Sequence, residues 1–206
     1  MRTLVLRCGD VRLPDALSPV PLVCLPARPG RGDVDPLLDG VGRLIVVGAD
    51  ADLAAVLTRL MRTERLDVEL GYVSGKRGAV TRVWSLPTGE RAAALALSGS
   101  AQAVALVRDD AGVTLVGRAT LTGSPLTGES YVDSTQLFSG SARRVVVEPA
   151  ADGLRALAGR FRPWVSGRAV QTGTTGLLLS RDGVEHERVV KRSTFYRHTE
   201  DWRLVR

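Results

Sequence analysis

Residues 43–61 run from Arg43-Leu-Ile-Val-Val-Gly48 through Ala49-Asp50-Ala51-Asp52 to Met61, joining an apolar stretch, a tight acidic turn and a helical pattern. The stretch at 43–48 is apolar without alternation, which suits a strand covered on both faces of a parallel sheet. Leu53, Val56, Leu57, Leu60 and Met61 then recur at i, i+3, i+4, i+7 and i+8, one face of an amphipathic helix. A strand that feeds such a turn aims backbone N–H groups at whatever lies above it, the usual physical basis of a phosphate site. The glycines that let a backbone approach phosphate oxygens closely are mostly absent here.

The same grammar extends through residue 98. Residues 3–7 and 20–25 are short strand candidates, 27–36 is a proline- and glycine-rich loop, and 68–73 is a further strand. The glycine-bearing loop Ser74-Gly75-Lys76-Arg77-Gly78 follows, then helices over 80–86 and 91–98, stopped by Pro87 and Gly99. Beyond residue 100 the pattern changes to β-prone runs at 103–107, 113–121, 144–148, 167–171, 176–179, 187–191 and 202–205. Turn signals at 109–112, 139–140 and 181–183 separate them, Asp182-Gly183 reads as a hairpin, and 154–158 is at most a short helix. The expected architecture is an α/β N-terminal half, residues 1–99, with a Rossmann-like parallel sheet. An antiparallel β-rich C-terminal half follows over 100–206.

Composition excludes several classes. At 206 residues and 44% hydrophobic content the chain can bury a substantial core, and no apolar run reaches the roughly 20 residues needed to cross a bilayer. The N-terminus is too soon interrupted by charge for a secretory signal, so a cytoplasmic location is expected. Cys8 and Cys24 lack metal-ligand spacing and read as two buried thiols. Glu185-His186-Glu187-Arg188-Val189-Val190 starts like a zinc-hydrolase motif, but Val190 stands where the second histidine is required, so no metal site is assigned.

The basic excess sits in the last quarter of the chain, where 11 basic residues face six acidic ones. Only Lys76 and Lys191 of the 28 basic residues are lysines, a bias that a GC-rich coding background explains as well as phosphate recognition does. Residues 191–203 hold cations and aromatics suited to anionic lipid or nucleic acid, but Glu185, Glu187, Glu200 and Asp201 dilute the patch, so nucleic acid is not the expected partner. Trp84, Trp164 and Trp202 share no spacing and read as core or half-buried packing. Gly128-Glu-Ser lacks the flanking turn of a nucleophile elbow.

The order of motifs carries a resemblance. Val46-Val47-Gly48-Ala49-Asp50-Ala51-Asp52, Gly71-Tyr-Val73 with its loop, Leu86-Pro87, the segment 92–99 ending in Ser-Gly and the apolar run 104–107 together resemble the catalytic domain of the diacylglycerol kinase and NAD kinase superfamily. In that family a strand ends in GGDGT, a P-x-GTGND loop, an L-G-x-P helix end and an S-G helix end follow, and a β-sandwich completes the domain. The resemblance implies ATP and Mg²⁺ as cofactors and a lipid or dinucleotide hydroxyl as phosphoryl acceptor. It implies Gly48, Asp50, Gly75 and Lys76 as nucleotide contacts, and Asp50 and Glu185 as catalytic groups, with Glu185 taking the proton.

The departures are specific. Gly48 and Asp50 match the first Gly and the Asp of GGDGT, whereas Ala49, Ala51 and Asp52 do not, and residues 74–78 keep glycines but offer neither Asn nor Asp. Glu185 is one residue further from Asp182-Gly183 than the family pattern places its acid. Alanine methyls obstruct a phosphate loop, and a carboxylate at 52 opposes phosphate charge unless a metal bridges them. A second expectation is that Asp50 or Asp52 caps the helix beginning near Leu53. Two functions follow: a kinase-like protein with weak or no activity, or a non-catalytic binding or assembly module for a protein, anionic lipid or nucleic acid partner, in which the sheet edges of the β-rich half pair with another chain, a second copy in a homo-oligomer included.

Overall fold

The computed structural model of the protein describes residues 2–159 and 162–206. It divides into two units, one formed by residues up to Val104 with Glu200–Arg206, the other by Ala105–Thr199.

In the first unit, strand β1 (Arg2–Cys8) pairs in parallel with β2 (Leu22–Leu25). The segment 27–36, expected as a loop, contains one turn of helix, α1 (Arg31–Val34). Asp33 Oδ2 accepts the Gly30 N–H at 2.7 Å, a local bond that composition alone does not reveal. Strand β3 (Val41–Val47) pairs in parallel with β1 on its other side and leads into α2 (Asp50–Arg62). Strand β4 (Glu69–Val73) pairs in parallel with β3, and α3 (Ala79–Val83) and α4 (Glu90–Ser98) follow, ended by Trp84 and Gly99. Arg203 and Leu204 from the last strand of the chain lie parallel to Glu69 and Leu70.

Leu44, Ile45, Val46 and Val47 are all buried, as a strand sheltered on both faces requires. On α2 the residues Leu53, Val56, Leu57 and Leu60 are buried, each worth roughly 1.5–3 kcal/mol relative to exposure. Ala92, Ala93 and Ala96 of α4 pack against Val5, Ile45, Val47 and Val73. Small side chains are needed there, because a Cβ at Gly71 would stand 2.7 Å from that of Ala96. Arg43 closes this packing: Nη1 donates to the carbonyls of Ala96 and Leu97, and Nη2 to that of Gly99. Nε donates to Glu69 Oε2 at 2.8 Å. The otherwise unpaired C-terminal carbonyls of α4 are thereby satisfied by a planar donor fork. Trp84 and Trp202 meet edge to face, centroids 6.0 Å apart.

The second unit is antiparallel. After β5 (Ala101–Asp109) and β6 (Thr114–Leu115) come β7 (Ala119–Val132), β8 (Thr135–Ala150) and β9 (Gly153–Ala158). Then follow β10 (Val165–Gly167), β11 (Ala169–Arg181), β12 (Val184–Glu185) and β13 (Val190–Val205). Here β9, β8, β7, β11 and the first part of β13 are successive antiparallel neighbours.

Three local expectations need correction. Residues 154–158 are strand β9, because five residues cannot offset helix nucleation while β8 offers a full ladder. The turn signal at 139–140 lies inside β8, and the reversal is at Asp133 (φ 49°), where Val132 pairs with Thr135. The run at 113–121 is split between β6 and β7. Pro125 is tolerated because it sits in the irregularity between Thr122 and Leu126, where the ladder lapses. The Asp182-Gly183 hairpin is present, with φ 47° and 86° at the two turn residues, and it joins β11 to β12. The core of the second unit contains Leu121, Val145, Val147, Leu154, Val170 and Phe195.

Candidate functional site

In the first unit β1, β3 and β4 end side by side, and the loops leaving them surround a cavity of about 700 Å³. Val11, Arg12 and Pro14 come from the loop after β1, Val47, Gly48 and Ala49 from the end of β3, and Val73, Ser74, Gly75 and Lys76 from the end of β4. Gly89 and Glu90 at the start of α4 complete the wall. A crevice outside the carboxyl ends of parallel strands is where open α/β sheets bind ligands. Its volume is within the roughly 300–1,000 Å³ of small-molecule sites.

Gly48, Gly75 and Lys76, read from the sequence as nucleotide contacts, thus share one cavity wall. Asp50 is adjacent in the chain, but its carboxylate is committed elsewhere. Oδ1 accepts the Tyr72 hydroxyl at 2.8 Å, and Oδ2 accepts the N–H groups of Ala79 at 2.8 Å and Val80 at 3.3 Å. It therefore caps α3, not its own helix. The close fit explains Gly78, where a Cβ would lie 2.7–2.8 Å from both Asp50 oxygens. Burial, then the neighbouring Asp50 charge, pushes the Tyr72 hydroxyl well above the usual tyrosine range.

Asp52 caps α2 from the third helical position. Its Oδ2 accepts the Ala49 N–H at 2.7 Å and its Oδ1 accepts the Arg28 N–H at 2.7 Å, tying the loop after β2 to the turn after β3. The carboxylate is 3% exposed, so it satisfies these donors from inside the protein. Gly48 has an ordinary φ and is required for a different reason: a Cβ there would collide with Asp52. Cys8 is buried, and burial followed by the Asp52 charge pushes its thiol up to about 12. Cys24 departs from expectation. It is exposed on β2.

The loop after β4 is held by its own hydrogen bonds. Ser74 Oγ donates to the Lys76 carbonyl at 2.9 Å, and the Gly89 N–H donates to the Ser74 carbonyl at 2.9 Å. Arg12, Lys76 and Glu90 are exposed at the cavity, and the Glu90 carboxylate accepts the N–H groups of Asp15 and Ala16.

Glu185 belongs to the second unit. It is exposed on β12, opposite Ser180, and borders a cavity of about 370 Å³ with Arg181, His186, Glu187 and Arg188. The neighbouring Asp182 is structural: its carboxylate accepts the N–H groups of Val116, Gly117 and Arg118 at 2.8–3.0 Å. Sequence reasoning missed Tyr72, Arg28 and Ala79 as partners of the loop, and only strand and helix boundaries correct to one residue could have suggested them. Among the described residues no group of three or more His, Cys, Asp or Glu is arranged to hold a metal ion, and no helix is long and apolar enough to cross a membrane.

Neither a family model nor a curated protein matches the sequence. Solved structures do match. A diacylglycerol kinase from Bacillus anthracis str. Sterne aligns with a TM-score of 0.74 at 14% identity, covering 99% of this chain and 96% of that one. An NAD kinase from Archaeoglobus fulgidus, in complex with ATP, aligns at 0.64 and 13% identity over 100% and 94%. Yeast NADH kinase complexed with NADH gives 0.58 and 10% over 100% and 83%. At these identities the likeness is one of fold, and over nearly its whole length the chain has the fold of the diacylglycerol kinase and NAD kinase structures.

Proposed function

We propose that the chain is a diacylglycerol and NAD kinase-like protein with degenerate phosphate-binding motifs, a Rossmann-like first unit, a β-sandwich-like second unit and weak or no kinase activity. The observation that carries this reading is the Asp52 carboxylate on the Ala49 N–H. At a strand–turn–helix junction that N–H is among the donors a phosphate would use, and an internal anion already holds it. A phosphate approaching Ala49 meets both a methyl group and a fixed negative charge.

ATP and Mg²⁺, the cofactors of such a fold, fit these residues poorly. Both oxygens of Asp50 and both of Asp52 accept protein donors, and the described residues hold no clustered metal ligands. In this reading Gly48, Gly75 and Lys76 contact whatever ligand the cavity takes, Asp50 is a positioning residue, and Glu185 is a proton acceptor only in a restored kinase. The protein acts in the cytoplasm.

A second reading, a non-catalytic assembly module, draws support from β2. That strand ends the sheet order and carries Leu22 at 41% exposure beside exposed Cys24, an edge that a second copy can extend.

Restoring the loop tests the choice. Ala49→Gly, Ala51→Gly and Asp52→Thr together remove two methyls and the internal anion. If the remaining chemistry of a kinase survives, calorimetric titration of this variant with Mg-ATP gives measurable binding, abolished by Asp50→Ala. An assembly module stays silent in a well-folded triple variant, which loses about 0.4–1 kcal/mol of stability per added glycine and about 1–3 kcal/mol more for the Ala49 and Arg28 N–H groups that Asp52 releases.

A further inference from the structure

The cavity of the first unit has walls that do not suit a triphosphate. Val47 and Val73 end their strands buried, and Val11 and Pro14 line the same cavity. Ser74, the buried hydroxyl of the lining, is turned to the Lys76 backbone. At the rim stand two exposed cations, Arg12 and Lys76. The carboxylate there, Glu90, already accepts two backbone N–H groups. An apolar enclosure with positive charge at its mouth selects a ligand with a hydrocarbon body and one anionic end.

We infer that this cavity binds a small apolar carboxylate, its chain against Val47, Val73, Val11 and Pro14 and its carboxylate between Arg12 and Lys76. The inference rests on the proposed loss of phosphate binding at Ala49 and names what the same cavity takes instead. Binding an alkyl chain needs no donor from the Gly48-Ala49 turn, so the Asp52 plug does not oppose it. A carboxylate at the rim is reached by flexible side chains, which can follow ligands of different length.

Octanoate and its neutral analogue octan-1-ol are the probes, titrated calorimetrically into the full chain. Octanoate binds more tightly than octan-1-ol to the native protein. Arg12→Glu with Lys76→Glu, two exposed positions whose change leaves the core intact, weakens octanoate about tenfold and leaves octan-1-ol within about twofold. Ala49→Trp fills the mouth and removes both. No octanoate binding by folded native protein, or binding indifferent to the charge reversal, overturns the inference. Mg-ATP in the same cell separates it from the reading beneath it: Mg-ATP binding that displaces octanoate overturns the phosphate argument, whereas silence toward both ligands overturns the carboxylate site alone.

Discussion

The Tyr72 hydroxyl donates a 2.8 Å hydrogen bond to Asp50 Oδ1, joining the end of β4 to the start of α2 while the other Asp50 oxygen caps α3. Three elements therefore meet on one carboxylate. Tyr72→Phe keeps the ring but withdraws a donor from that carboxylate, and the expected loss is about 1–3 kcal/mol in a urea melt. The pH dependence has a defined sign. Because the folded-state hydroxyl titrates above the ordinary value of 10.0, its contribution is whole below that pH and is lost as pH rises from there toward the folded value. The native protein should lose stability above pH 10 more steeply than Tyr72→Phe does. Parallel slopes for the two proteins would contradict the assignment.

Gly48 and Asp52 are expected to be coupled. Gly48→Ala drives a methyl into the Asp52 carboxylate and should cost about 2–3 kcal/mol, within the range of overpacking at a buried site. In an Asp52→Ala background the same substitution should cost less than half as much. A double-mutant cycle by chemical denaturation reads the difference, and additive effects would show that Gly48 is retained for another reason.

The two cysteines should separate in a thiol-labelling experiment. Cys24 is exposed and reacts with a disulfide reagent in the native state, while Cys8 is buried, with its thiol pushed up to about 12, and reacts only after unfolding. Native protein should therefore release one equivalent quickly and the second with the kinetics of opening. Since the folded Cys8 thiol titrates above its ordinary 9.0, the stability it supports is complete below that pH and falls as pH rises from 9.0 toward 12.

What the sequence revealed and what it hid divide along a physical line. The β3–α2 junction was legible because its signal is local: an apolar run followed by a period of 3.6 that ends where Leu53, Val56, Leu57 and Leu60 are buried. Asp182-Gly183 was legible because that dipeptide tolerates positive φ at both turn positions. Partners distant in sequence were not. Asp50 is 29 residues from Ala79, and Arg43 is 53 from the Ala96 carbonyl that it binds. An Asp cap was expected on a helix beginning near Leu53; α2 begins at Asp50, Asp52 caps it from inside the first turn, and Asp50 serves a different helix. Strand β9 was hidden by residues with helix propensity, because only the neighbouring β8 makes a strand the better outcome.

The central claim, that an internal carboxylate has replaced phosphate at the turn after β3, is tested most directly by calorimetric titration of the native chain with millimolar Mg-ATP. The expected outcome is no saturable heat, and no rise in melting temperature across the same concentrations. A saturating isotherm with a dose-dependent rise in melting temperature would contradict it.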